Sequence, residues 1–274
     1  MILWILKRFY RRLLRQAAHE IVVGRLKERG APQKGRWLRH EIDAILAQTW
    51  DNAEILLPEA DLASLPTWGN RHNVSLAVLT VAAYHAFRDA GMEKDDAIEL
   101  FADIGWKLYT RFLTLPRFFA RLLHRDPQRQ MDFILRALLR FPFSAPGRPA
   151  YEVRAWAEPG RFCTYWTYCP PYAFVREYAS AHGDNGEVEA FIKSWCWYDW
   201  AFAYAMVDGS YDSHGYYERP HTLSAGDALC DMCWYAGRPA AVTGKQEEVN
   251  HVVMDVANPV AARIMGQTPT GRRR

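Results

Sequence analysis

The 274-residue chain lacks any apolar run long enough to cross a bilayer. Its longest uncharged helix-like stretch, Val74 to Phe87, is interrupted by Ser75, Thr80 and His85 and reads as a buried helix. The opening MILWILKRFYRRLL places apolar residues ahead of positive charges, the reverse of a secretory leader. Also missing are a phosphate-cradling Gly-rich loop, a nucleophile elbow and an HExxH pair, which argues against nucleotide-cradling, elbow-type serine hydrolase and zincin chemistry. Cysteine is scarce. An odd count of five in a chain without a leader points to free thiols in a reducing, cytoplasmic compartment rather than a disulfide framework. Acidic residues are nearly absent from the first 40 positions, where eleven Lys or Arg face only Glu20 and Glu28. A nucleic-acid binder carries its basic face on the folded body, so this end-loaded charge argues against nucleic acid as a partner.

What is present is a globular balance, 50% hydrophobic and 24% charged, with 11 Trp that imply a core or pocket built from flat rings. Leu6, Phe9, Tyr10, Leu13, Leu14, Ala17, Ala18 and Ile21 recur at three- and four-residue intervals with arginines between them. That is an amphipathic helix. It serves either as a docked helix, on the body or on a second copy in a homo-oligomer, or as a peripheral membrane anchor. Further helices are expected over 36–49, 73–90, 94–112, 116–124 and 127–141, with Gly91 as a stop, Pro116 in a first turn and Asp126 as an N-cap. From Pro142 to Pro149 the helical period breaks, placing a boundary near residue 148. Strands over 151–156 and 161–168 joined at Glu158-Pro159-Gly160, helices over 170–182 and 187–206, and strands over 216–222 and 228–235 follow. The expected fold is α+β: a helical region 1–148, then a ββααββ region 149–236 with an antiparallel sheet carrying helices on one face, and an irregular tail 237–274 with one helix near 259–264.

Four segments of the second region carry chemistry-bearing side chains. Cys169 stands where a strand ends and Pro170-Pro171 opens a helix, a place where the dipole favours a thiolate. Cys196 and Asp199, three apart in a Trp-rich helix, share a face with Ile192 and Ala203, so Asp199 is either a structural acceptor or a base with raised pKa. Tyr217, Arg219 and His221 share one face of the third strand, and Arg219 with His221 can hold a carboxylate. On the last strand Cys230 and Asp231 point to opposite faces, so one of them is structural. Cys230-x-x-Cys233 has zinc-ligand spacing but lies in strand-like sequence without Gly, and no metal or other cofactor is expected.

The succession Cys169-Pro170, Cys196-x-x-Asp199-Trp200 and Arg219-x-x-Thr222-x-x-x-Gly226-x-x-x-Cys230-Asp231 resembles the L-2-amino-thiazoline-4-carboxylic acid hydrolase family. The resemblance spans about 70–236, its specific motifs 169–231. It departs at Met232-Cys233, where that family usually shows an aromatic and a basic residue. The resemblance implies hydrolytic opening of a thiazoline ring at its amidine carbon, a small-molecule substrate, and catalytic roles for Cys196 (nucleophile or acid), Asp199 (base) and His221. Arg219, Cys169, Trp200 and Cys230 would bind substrate. A fainter likeness to ligand-sensing domains related to vinyl reductase accessory proteins implies the alternative, a binding module without catalysis.

Overall fold

A computed structural model of the protein describes residues 2–27, 35–206 and 215–237. The helices are α1 (Ile2–Val22), α2 (Arg39–Leu56), α3 (Trp68–Asp89), α4 (Lys94–Leu123) and α5 (Pro127–Arg140), followed by strands β1 (Glu152–Glu158) and β2 (Arg161–Tyr168). Then come α6 (Pro170–His182), α7 (Glu187–Phe191), a π-helical turn (Ile192–Cys196), α8 (Tyr198–Met206), β3 (Tyr216–Glu218) and β4 (Cys230–Tyr235). The fold is α+β, a helical first half followed by one antiparallel sheet of order β1-β2-β4-β3. Pro159 and Gly160 close the first hairpin, Gly160 at φ +78°, a conformation open to glycine at no steric cost. The tail expected over 237–274, with its helix near 259–264, lies from residue 238 onward outside the described residues.

The chain divides into two compact units that alternate along the sequence. The first comprises the described part of Met1–Pro116 with Leu138–Tyr151 and Cys169–Asp199; the second comprises Arg117–Ala137, Glu152–Tyr168 and the described part of 200–237. The composition change near residue 148 falls inside a segment of the first unit.

In the first unit α3 is enclosed by α2, α6 and α7, and the run from Ala77 to Ala83 is buried at every position. Capping starts it correctly: the Thr67 hydroxyl accepts from the Asn70 N–H. The amphipathic α1 docks within this unit through Leu14, Ala17, Ala18 and Val22. Arg15 forks onto both Asp43 oxygens at 2.7 and 2.6 Å, His19 adds a third contact at 2.8 Å, and Arg15's hydrogen bond leads in holding the Asp43 carboxyl down to about 2.

In the second unit one sheet face packs on helices. Phe202 of α8 meets Trp234 edge-on at 5.6 Å, Tyr217 lies 4.3 Å from the same indole, and Arg136 of α5 covers the Phe162 ring at 5.3 Å. The opposite face keeps Tyr165 and Trp156 in edge contact at 4.8 Å with Tyr165 exposed.

Four expectations need correction. Helices expected to break before Pro116 are one helix, α4, in which Pro116 is an interior residue. The helix over 187–206 is interrupted by the π turn. The third strand ends at Glu218 instead of reaching Thr222, because Pro220 offers no ladder donor. Finally, not all thiols are free: β2 and β4 pair Cys163 directly opposite Cys233, Cα atoms 4.3 Å apart, and the two form a disulfide. An odd cysteine count carries no information about cross-strand register, which is why composition misses this bond.

The disulfide closes a loop with a sequence separation of 70. Replacing Cys163 and Cys233 together by Ser is expected to lower the unfolding free energy by about 2–4 kcal/mol, read from denaturant melts. Alkylation of the unfolded, unreduced chain should label Cys169, Cys196 and Cys230 only; labelling of all five would refute the bond.

Candidate functional site

Cys169 is the N-cap residue of α6, in extended conformation, and its carbonyl accepts from the Ala173 N–H at 2.9 Å. Pro170 and Pro171 suit the first turn, where a missing N–H costs no intrahelical bond. The expectation that this cysteine sits between strand and helix agrees with the structure.

The π turn decides where the next residues go. The Trp197 N–H reaches back five residues to the Ile192 carbonyl at 3.2 Å, inserting an extra residue into the helical repeat. The face that a regular helix would give to Ile192, Cys196 and Asp199 is therefore broken. Before the insertion, Trp195 stacks on Phe191 at 5.2 Å and donates its indole N–H to Thr80 at 3.0 Å, while Cys196 packs against the same apolar core. After it, Tyr198 lies against the rings of Trp106 and Tyr109 and donates its hydroxyl to the Ala102 carbonyl. Gly105 makes this possible, since a Cβ there would overlap the Tyr198 hydroxyl.

Asp199, half-buried, follows Tyr198 directly, and its negative charge acts on two phenols of the first unit. Burial, reinforced by Asp199, pushes Tyr109 well above the ordinary tyrosine range. Burial does the same to Tyr151, the charge of Cys169 adds to it, and the hydrogen bond from Asn73 Nδ2 at 2.9 Å opposes it. A thiol and a carboxylate thus act on one enclosed phenol. Both phenols keep their protons at any ordinary pH and can serve as O–H donors.

The remaining expected site residues belong to the second unit. Trp200 meets Tyr217 edge-on at 4.9 Å, and among the described residues its buried indole N–H has no acceptor within hydrogen-bond distance. Arg219 is 3% exposed, with its guanidinium 5.8 Å from the Tyr217 ring centroid. His221 is not beside it on one strand face. The strand has ended, the His221 side chain is 61% exposed, and its ring Nδ1 and backbone N–H both engage Asp231, each at 2.7 Å. The hydrogen bond and charge of Asp231 raise the His221 pKa. Cys230 points to the opposite face, where its Sγ accepts from the Leu223 N–H at 3.2 Å and lies 3.3 Å from the Thr222 hydroxyl. Asp227 accepts from the Thr222 N–H at 2.8 Å and Gly226 takes φ +91°. Most polar residues of the Thr222–Asp231 motif hold their own loop in shape.

Sequence reasoning missed Tyr109, Tyr151 and Asn73. One signal was present: Asn73 is an amide opening an otherwise apolar helical run, and a buried amide demands a partner. No family model, curated protein or solved structure matches the chain. The resemblance described above therefore rests on its motif residues alone.

A second buried polar cluster in the first unit is fully matched internally. Glu187, 3% exposed, accepts from His85 at 2.7 Å and from the Asn185 N–H at 2.6 Å, while Tyr84 donates to the Asn185 carbonyl at 2.6 Å. Desolvation alone would raise its pKa, but these hydrogen bonds and the charge of His85 outweigh it and hold the carboxyl down at about 2. A depressed carboxyl contributes stability above its unfolded pKa and loses it as pH falls through the folded value. Glu187→Gln is expected to cost about 1–3 kcal/mol near pH 6. The gap in Tm between wild type and variant should narrow as the pH is lowered from about 4.5 toward 2; a gap that stays constant would contradict the assignment.

Proposed function

We propose that the protein is a hydrolase that opens a small sulfur- and nitrogen-containing ring of the 2-amino-thiazoline-4-carboxylate type at its amidine carbon. The observation that supports this reading is that the half-buried Asp199 and Cys169, the N-cap of α6, both exert their charge on the enclosed Tyr151 phenol. The family resemblance supplies the substrate class.

Ring opening adds one water across the carbon–sulfur bond. The amidine carbon gains the hydroxyl, that bond breaks, and the ring sulfur leaves with a proton to give an N-carbamoyl thiol. Asp199 takes the proton from water and pairs with the cationic amidine, the role of a half-buried carboxylate beside neutral donors. Tyr109 and Tyr151 stay protonated, so they donate without adding charge. Of the two thiols Cys169 is the better candidate for acid or nucleophile, because Cys196 packs into the apolar core and is better explained as filling. The substrate-carboxylate role of Arg219, a residue of the second unit, rests on the family resemblance alone. His221 is better explained as the exposed partner of Asp231, and Cys230 as a support of the Thr222 loop.

Incubation with the thiazoline acid should yield a product heavier by one water and carrying a new thiol. Asp199→Asn is expected to lower kcat by about two to four orders of magnitude with the fold intact by circular dichroism. Cys169→Ser should lower kcat and Cys196→Ser leave it nearly unchanged. Equal turnover in wild type and Asp199→Asn would remove the base, and saturable binding without product would favour the non-catalytic module.

A further inference from the structure

The C-terminal turns of α4 carry side chains that a soluble surface does not need. In the second unit Phe118 is 60% exposed and Leu122 69%, and Phe119 and Leu123 are exposed beside them. The spacing of 118, 119, 122 and 123 places all four on one stripe of the helix, whereas Ala120 is buried. The buried side is thus the one that docks, and the large apolar side chains point away from it. Further upstream on the same helix, Phe112 and Leu115 are also exposed. A contiguous exposed apolar patch of this kind marks an interaction surface.

Charge identifies the occupant. From Ile104 to Arg125 the sequence contains no Asp or Glu, while Arg117, Arg121 and Arg125 lie on or just after these turns. Phe and Leu on one face with Arg flanking it, and no acid, is the composition of a helix lying in the headgroup plane of an anionic bilayer. A second copy of the chain fits poorly, because a two-fold contact sets the arginines of one patch against those of the other. The tail from residue 238 is net basic in sequence and is likewise mismatched in charge.

We infer that the C-terminal turns of α4 form a peripheral docking surface for anionic lipid bilayers, with Phe118, Phe119, Leu122 and Leu123 entering the interface and the exposed Arg121 and Arg125 turning positive charge toward headgroup phosphates. This contact differs from the one expected for α1, whose Leu14, Ala17, Ala18 and Val22 are occupied within the first unit. It is independent of the hydrolase reading.

The test is sedimentation of the full-length chain with vesicles of phosphatidylcholine alone and of phosphatidylcholine with phosphatidylserine. Binding is expected to the second and to weaken with added salt. The triple variant Phe118→Ser, Phe119→Ser, Leu122→Ser should lower the partition coefficient about a hundredfold or more without lowering Tm, since these side chains are exposed. A control variant, Arg8→Glu with Arg11→Glu, on the exposed side of α1, should retain most of the binding. Absence of binding to anionic vesicles, binding unchanged in the triple variant, or loss confined to the α1 variant would each overturn the inference. So would a concentration-dependent dimer, seen by analytical ultracentrifugation, that the triple variant abolishes while vesicles leave it unaffected.

Discussion

The first unit depends on one constraint: the central run of α3 is enclosed so completely that its buried polar groups must find partners inside the protein. Each of these groups fastens a different segment. Asn70 donates to the Ser144 carbonyl, Asn73 to the Tyr151 hydroxyl, and Tyr84 to the Asn185 carbonyl. Thr80 receives the Trp195 indole, and His85 meets Glu187. The helix acts as a spine from which the later loops hang. An unpaired buried donor costs about 1–3 kcal/mol, so these pairings discriminate against alternative arrangements even where each contributes little net stability.

That spine is what sets up the candidate chemistry. Asn73 holds Tyr151, and Thr80 holds Trp195 just ahead of the point where the π turn resets the helical phase. Past that reset, Tyr198 is seated over Gly105 and Asp199 comes to act on Tyr109 and Tyr151. The extra residue breaks the face the two would share: Cys196 packs against the apolar core, while Asp199 contributes its charge at Tyr109 and Tyr151. In the second unit the Thr222–Asp231 loop shows the complementary case, where residues with reactive side chains chiefly stabilise a turn.

Much of the architecture was legible. The amphipathic α1, the buried α3, the cysteine capping α6, the Pro159-Gly160 hairpin and the antiparallel sheet follow from periodicity and turn chemistry, which are local. The alternation that sends Cys230 and Asp231 to opposite faces was legible for the same reason. Less legible was anything set by partners far away in sequence. Pro116 stays inside α4, although its ring removes a donor, and no local rule announces that. The face shared by Arg219 and His221 dissolved because the strand ended four residues earlier than its composition suggested.

Sequence alone determined the class of fold, the placement of most helices and strands, and the residue types available for chemistry, because those depend on spacing along the chain. Tertiary structure decided that Cys163 meets Cys233, that Asn73 meets Tyr151, and that Asp199 acts on Tyr109 and Tyr151 while Cys196 faces the apolar core. Strand register and the phase shift of one π turn are set by which buried groups must pair across many residues. A linear pattern of side chains does not encode that pairing.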